Sequence, residues 1–237
     1  MIAALSLLVL LAAAADPAAP GAPSGAAGTE PGKLAGKVTV AGLAPKLANL
    51  PVTRDMKLCG TSKPEEALEV GTGGGVRNAV VWIVETIPGR PPPEKVKVRL
   101  DQQGCAYLPH VVAAPLGATL EIVNSDSLLH NVRATEGSTR IFNYAMPIKG
   151  YVIPSKLRKA GLLKVTCDVH PWMHAWVSVL PANAYAVTDA EGNYQIDGLP
   201  PGKYTVKLWQ ERLGEREDHV EIVAAQTAKL DVALSPR

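Results

Sequence analysis

The chain has 237 residues, with 24 Lys and Arg against 22 Asp and Glu and a formal net charge of +2. Acids and bases are interspersed, so no field large enough for general nucleic-acid binding arises, and DNA and RNA are excluded as partners. The scarce, chemistry-bearing side chains are three cysteines and five histidines.

In chain order, the first feature is an apolar run from Ile2 to about Ala15, closed by alanines that fit the small-x-small rule for signal cleavage. Residues 1–15 are therefore expected to be a secretory signal, although no Lys or Arg precedes the run. At roughly 14 residues it falls short of the ~20 that a spanning helix needs, and no later segment matches even that length. The expected location is periplasmic or secreted, with no membrane span. Residues 16–34 are rich in Ala, Pro and Gly and carry too little apolar surface to offset chain entropy, so a flexible linker is expected. The rest suffices for one large or two small domains.

Beyond residue 35 the chain reads as short β-strands. "GKVTVAG", "NAVVWIVE", "KVKVRL", "ATLEIVN", "LLKVTCD", "AWVSVL", "YTVKLWQ", "VEIVAA" and "KLDVAL" are β-branched-rich runs separated by Gly, Pro, Asn or Asp. The best short helical candidate is "PSKLRKAG", and no stretch sustains a helical period for three turns. The fold class is all-β, with sandwiches favoured by the even strand spacing.

A boundary is expected near residue 181. Beyond it, "TDAEGNYQIDGLPPGKY", Thr188 to Tyr204, resembles the carboxypeptidase regulatory-like, transthyretin-like β modules. That resemblance implies a small β-sandwich over 182–237. About fifty residues are few for such a sandwich. Residues 35–94 thus have two readings: a separate β segment, or the part that folds back to complete the C-terminal sandwich around an inserted middle domain, 95–181. The acids of "TDAEGN" suit a hairpin turn better than calcium.

Three cysteines in an exported chain cannot all pair. A Cys59–Cys105 disulfide would close a loop of 46 residues, worth roughly 4 kcal/mol on the chain-entropy estimate. The alternative is a second metal held by Cys59, Cys105 and His110. Under the disulfide, Cys167 is left as a free thiol, a liability in an oxidising compartment unless something occupies it.

Cys167 opens "CDVHPWMH". In the strand before it, alternation puts Leu163, Val165 and Cys167 on one face, pointing into a core. In the strand after it, Met173, Ala175, Val177 and Val179 share the inward face, while His174, Trp176 and Ser178 share the other. His130 begins the strand "HNVRA" on an inward side. An inward histidine at a strand start and an inward cysteine at a strand end converge at one pole of a sandwich, and the short turn adds His170 and Met173. One thiolate, two imidazoles and a weak thioether suit copper cycling between two oxidation states, and a bound metal keeps the thiol deprotonated.

With these residues the chain resembles the cupredoxins, of the amicyanin and plastocyanin kind. The likeness runs through "YLPHVVAAPLGATLEIVNSDSLLHNV", "FNYAMPIKG" and "AGLLKVTCDVHPWMHAWVSVL", with the Cys-x-x-His-Pro-x-Met spacing of the amicyanins. The resemblance implies a Greek-key β-sandwich over 95–181 with one type 1 copper site. His130, Cys167 and His170 would be equatorial ligands and Met173 the axial one, with Asn131 bracing the cysteine loop. It further implies a monomeric electron carrier, not an enzyme, that meets a redox protein partner. His170 would present its ring edge at the surface beside Pro171, and Trp172 would offer an apolar contact face. His174 departs from the family pattern and is expected to face solvent or a partner, with ligation as the alternative. His110 reads as structural or surface, with a supporting or second-metal role as the alternative, and His219 as solvated. Lys149, Lys156, Arg158 and Lys159 form a loose basic group that is either solvated or a docking patch for an acidic redox partner. The competing functions are copper delivery, adhesion or assembly through the C-terminal module, and an enzyme with an open copper position.

Overall fold

The computed structural model describes residues 30–236. The expected signal, 1–15, and the linker up to residue 29 lie outside these residues. The linker expectation ran too far: Gly32, Lys33 and Leu34 already lie in the first strand.

The described residues form nineteen strands. They are β1 (Gly32–Val40), β2 (Leu50–Pro51), β3 (Ser62–Lys63), β4 (Val80–Ile83), β5 (Lys97–Gln103), β6 (Ala106–Leu108), β7 (Val111–Pro115), β8 (Thr119–Asn124), β9 (His130–Glu136) and β10 (Thr139–Met146). There follow β11 (Val152–Lys156), β12 (Gly161–Thr166), β13 (His174–Leu180), β14 (Tyr185–Val187), β15 (Asn193–Leu199), β16 (Gly202–Gln210), β17 (Gly214–Ile222), β18 (Thr227–Lys229) and β19 (Val232–Leu234). One short helix, α1 (Met56–Cys59), sits between β2 and β3. The class is all-β, as the strand-like runs require. "PSKLRKAG" is not helical: Ser155 and Lys156 extend β11, which pairs antiparallel with β8. Pro154 ahead of them disfavours a helix through the residue before it.

The strands make two sandwiches. In the first, a five-stranded sheet, β10-β9-β12-β13-β7, faces a four-stranded sheet, β11-β8-β5-β6. Their inward residues, among them Leu100, Leu120, Ile122, Val132, Val165 and Val177, form one core. Alternation decides which side chains enter it: in β12, Leu163 and Val165 are buried while Lys164 is exposed. β13 lies inside its sheet, between β12 and β7, and its Ala175, Val177 and Val179 are all buried.

The second sandwich joins the sheet β14-β4-β16-β17 to the sheet β15-β1-β18, with β19 also paired to β1. Its core mixes Leu34 and Val38 of β1 with Val81 and Ile83 of β4 and Ile196, Val206, Leu208, Ile222, Val232 and Leu234 from the C-terminal strands. β1 thus pairs antiparallel with β15 and parallel with both β18 and β19. The close approach demands a glycine: a Cβ at Gly36 would collide with the Leu230 carbonyl oxygen. A third apolar cluster, with Val80, Val111, Ala113, Leu180, Ala182 and Trp209, fixes one sandwich against the other.

Candidate metal centre

Three strand ends build the site. β9 starts at His130, β12 ends at Thr166, and β13 starts at His174 directly opposite Thr166 in the β12–β13 hairpin. Residues 167–173 are therefore a tight loop with Cys167 and Met173 at its two feet. The Cys167 amide donates to the Met173 carbonyl at 3.3 Å, and the Met173 amide to the His170 carbonyl at 2.9 Å. Because β9 pairs with β12 in register, Ala134 against Val165, His130 is delivered to the same pole.

His130, Cys167 and His170 converge. Their donor atoms lie within 4.8 Å of one another. The two Nδ1 atoms are 2.9 Å apart, and the Cys167 Sγ is 3.8 Å from the His170 Nδ1. Both imidazoles are completely buried. Each is oriented from behind by a carboxylate: His130 Nε2 donates to Asp126 at 3.0 Å, and His170 Nε2 donates to Asp55 at 3.0 Å. A neutral imidazole that carries its proton on Nε2 has a bare lone pair on Nδ1. Burial holds the His130 pKa below the usual histidine value and so favours that neutral form, outweighing the Asp126 contact that pulls the other way. Two lone pairs therefore face each other beside a sulfur, an arrangement that a cation between them relieves. Met173 is buried in the same core as Cys167. Sulfur, imidazole and thioether together form a donor set that fits copper, with soft sulfur for the reduced ion and nitrogen for the oxidised one.

Asn131 braces the loop. Its backbone amide points at the Cys167 Sγ at 3.5 Å, its Oδ1 accepts a short bond from the Asp168 amide, and its Nδ2 donates to Asn143 at 2.7 Å and Asp168 at 3.1 Å. Tyr107 ties the two halves together by donating to the Asn131 carbonyl at 2.6 Å, with the Thr166 carbonyl at 3.2 Å. Burial, with the Cys167 and Asp168 charges behind it, pushes the Tyr107 phenol well above its usual pKa and keeps it a donor. Asp126 also accepts from the Gly104 and Cys105 amides, at 2.7 and 2.8 Å. Burial opposes its charge, but these amide bonds and His130 hold its pKa below the usual carboxylate range.

Cys59 and Cys105 form the expected disulfide, which removes the cysteine-based second metal and leaves Cys167 as the free thiol. This bond anchors α1, and with it Asp55 at the helix N-terminus, over the site. Two surface expectations are corrected as a result. The His170 ring edge does not reach solvent, because Asp55 covers its Nε2. Trp172 is also buried, with its indole donating to the Cys105 carbonyl at 3.1 Å, so it is no exposed contact face. Pro171 is exposed. His219 lies on β17 and is exposed, as expected. His110 is buried, and with His174 it forms a separate cluster.

Asp55, Asp126 and Tyr107 are the residues that sequence reasoning missed. Asp126 could have been suspected, being in the polar loop four residues before His130, and Tyr107 lies inside the "YLPHVV" stretch of the cupredoxin resemblance. Nothing local marks Asp55, which arrives from a distant segment through the disulfide.

The carboxypeptidase regulatory-like domain family matches residues 168–235, a minority of the chain. Among solved structures, the chain is similar to a purple cupredoxin from Nitrosopumilus maritimus, with 22% identity and a TM-score of 0.31, over 35% of this chain and 98% of that one. It is also similar to amicyanin from Paracoccus versutus, with 22% identity and a TM-score of 0.33, over 42% of this chain and 96% of that one. A substituted amicyanin in its reduced state gives 23% identity and a TM-score of 0.32, over 43% of this chain and 98% of that one. Likeness at this level decides neither family nor activity. No curated protein matches the chain.

Proposed function

We propose that the first sandwich, centred on residues 95–181, is a cupredoxin-type domain holding one type 1 copper ion through His130, Cys167, His170 and Met173, and that the protein is an exported, periplasmic or secreted carrier of single electrons between redox protein partners. The convergence of two carboxylate-backed imidazoles on one buried free thiol carries this reading. Copper bound there supplies a one-electron cycle between its two oxidation states.

The chain's own residues keep the donors in place before any ion arrives. Asp126 and Asp55 fix both histidine tautomers, and Asn131 and Tyr107 lock the loop against β9. Burial excludes water from the donor atoms, and an ion held by all four residues would keep no position open for a substrate. Asp55 at the mouth makes the approach to His170 acidic, and exposed Met56, Leu58 and Pro171 border it along the chain. Apolar groups of this kind suit a weak, small-area redox encounter.

The test is the optical and paramagnetic resonance spectrum of the copper-loaded mature protein. An intense visible thiolate-to-copper band with narrow hyperfine splitting is expected, and a wild-type protein without that band overturns the proposal.

A further inference from the structure

His110 and His174 meet with their ring centroids 5.0 Å apart and their planes perpendicular. His110 precedes β7 and His174 opens β13. Glu211, in the turn between β16 and β17, and Glu65 and Glu66, in the segment between β3 and β4, close around them. Donor atoms of His110, His174 and Glu211 lie within 4.8 Å of one another.

Both rings sit among carboxylates. His110 Nε2 donates to Glu211 at 2.8 Å, and the ring nitrogen on its other edge is Nδ1. That Nδ1 is buried and has no hydrogen-bond partner, and the nearest ion-pair group is the Glu66 carboxylate at 3.9 Å. His174 Nδ1 lies 3.3 Å from the Trp172 carbonyl and donates to it, and its Nε2 lies 3.1 Å from the Glu65 carboxylate. Carboxylates held largely out of water are costly without a counter-charge. Three carboxylates gather at these two rings, and the nearby Arg77 is paired with Glu69. Burial opposes a charge on His110, but the Glu211 and Glu66 carboxylates raise its pKa, and a metal ion in place of that proton balances the same charges.

We propose that His110, His174 and Glu211, with Glu66 beside them, form a second metal site for a divalent first-row ion of the zinc class, separate from the sulfur-bearing centre. The donors are imidazole and carboxylate with no thiolate, which suits zinc, nickel or oxidised copper and gives reduced copper no soft ligand. Zinc bonds to nitrogen and oxygen are about 2.0–2.2 Å, so donors on opposite sides of an ion stand about 4 Å apart, and small side-chain shifts close the site. The ion would join three stretches of the chain: the segment before β4, the first sandwich and the β16–β17 turn of the second. It would act as a clamp between the sandwiches. The site stands independently of the copper proposal, since it shares no donor with it.

Zinc is the probe. In the metal-free mature chain carrying His130→Ala and Cys167→Ser, calorimetry should show one zinc bound and thermal denaturation should show a rise in the midpoint. Adding His110→Ala should abolish that binding, and Glu211→Gln should weaken it at least tenfold, while His219→Ala leaves it unchanged. Should the altered background fail to fold, nitrogen-15 histidine correlation spectra of the wild-type protein give the same reading. Zinc must then move the His110 and His174 ring-nitrogen resonances away from both their protonated and their free lone-pair positions. Binding that persists without His110, or His110 and His174 signals that respond to acid but not to zinc, overturns the proposal and assigns the position to a proton.

Discussion

The two histidine pairs differ in what surrounds them, and the difference teaches more than either alone. His130 and His170 share their space with a thiol, and each is backed on its outer nitrogen by a single carboxylate. His110 and His174 have carboxylates on the inner side as well, and no sulfur. The first pair is organised by a hairpin loop and a strand start of one sandwich. The second is assembled from parts of both. The same imidazole therefore serves a soft, redox-capable donor set in one place and a hard, charge-balancing set in the other, and the neighbours decide which.

The sharpest way to break this comparison is Cys167→Ser. It should eliminate the visible charge-transfer band altogether while leaving zinc binding at His110 and His174 intact, as read by absorption and calorimetry on the same sample. Next comes removal of the Cys59–Cys105 bridge by paired alanine substitution. On the chain-entropy scale the loss of stability should be about 4 kcal/mol, measured by denaturant unfolding, and the His170 side should suffer first because Asp55 loses its anchor. Asn131→Ala should cost about 1–3 kcal/mol by leaving the Asp168 amide without its acceptor. It should also lower copper affinity about 10- to 100-fold, the range for outer hydrogen-bond partners of metal ligands.

Asp55→Asn should be milder. Removing a negative charge beside His170 disfavours the more highly charged oxidised ion, so the reduction potential should rise, by about 60 mV for a tenfold change in a one-electron equilibrium. Voltammetry measures it, and an unchanged or lowered potential would show that Asp55 positions the ring without acting through its charge.

The smallest effect belongs to the second sandwich. The bond with Lys229 holds the Asp231 pKa below the usual carboxylate range; burial opposes this slightly, and the Lys37 amide adds to it. A group depressed on folding stabilises above its unfolded pKa and loses that contribution as pH falls through its folded one. Asp231→Asn should therefore flatten the acid limb of the stability curve below the usual carboxylate range, as followed by thermal melts.

Much of the first sandwich was legible because period-two alternation is a local property. It placed Val165 and Cys167 inward and Lys164 outward with no knowledge of the partners. The thiol loop was legible for the same reason, since four chemistry-bearing residues within eight positions leave few alternatives. What escaped was non-local. Nothing near Asp55 or Cys59 announces that this segment arches over His170, and the burial of Trp172 follows from that cover rather than from its own neighbours. His110 and His174 read as unrelated singletons because they are joined by sheet register, β13 lying parallel to β7, and by Glu211 from a turn in the other sandwich. The likeness to carboxypeptidase regulatory-like domains covers a contiguous stretch, 168–235, whereas the sandwich it lies in also draws β1 and β4 from before residue 95.

The placement of β1 between β15 and β18 has a consequence for biogenesis. A strand whose partners lie beyond residue 192 cannot find its sheet until those residues have been made. Meanwhile the first sandwich, whose strands β5 to β13 are contiguous along the polypeptide, can close by itself. It would bring the two flanking halves of the other sandwich within reach of each other. A fragment starting at residue 182 would lack the middle strand of its own sheet and expose raw edges on both sides, which makes it a poor candidate for separate production and a good one for aggregation.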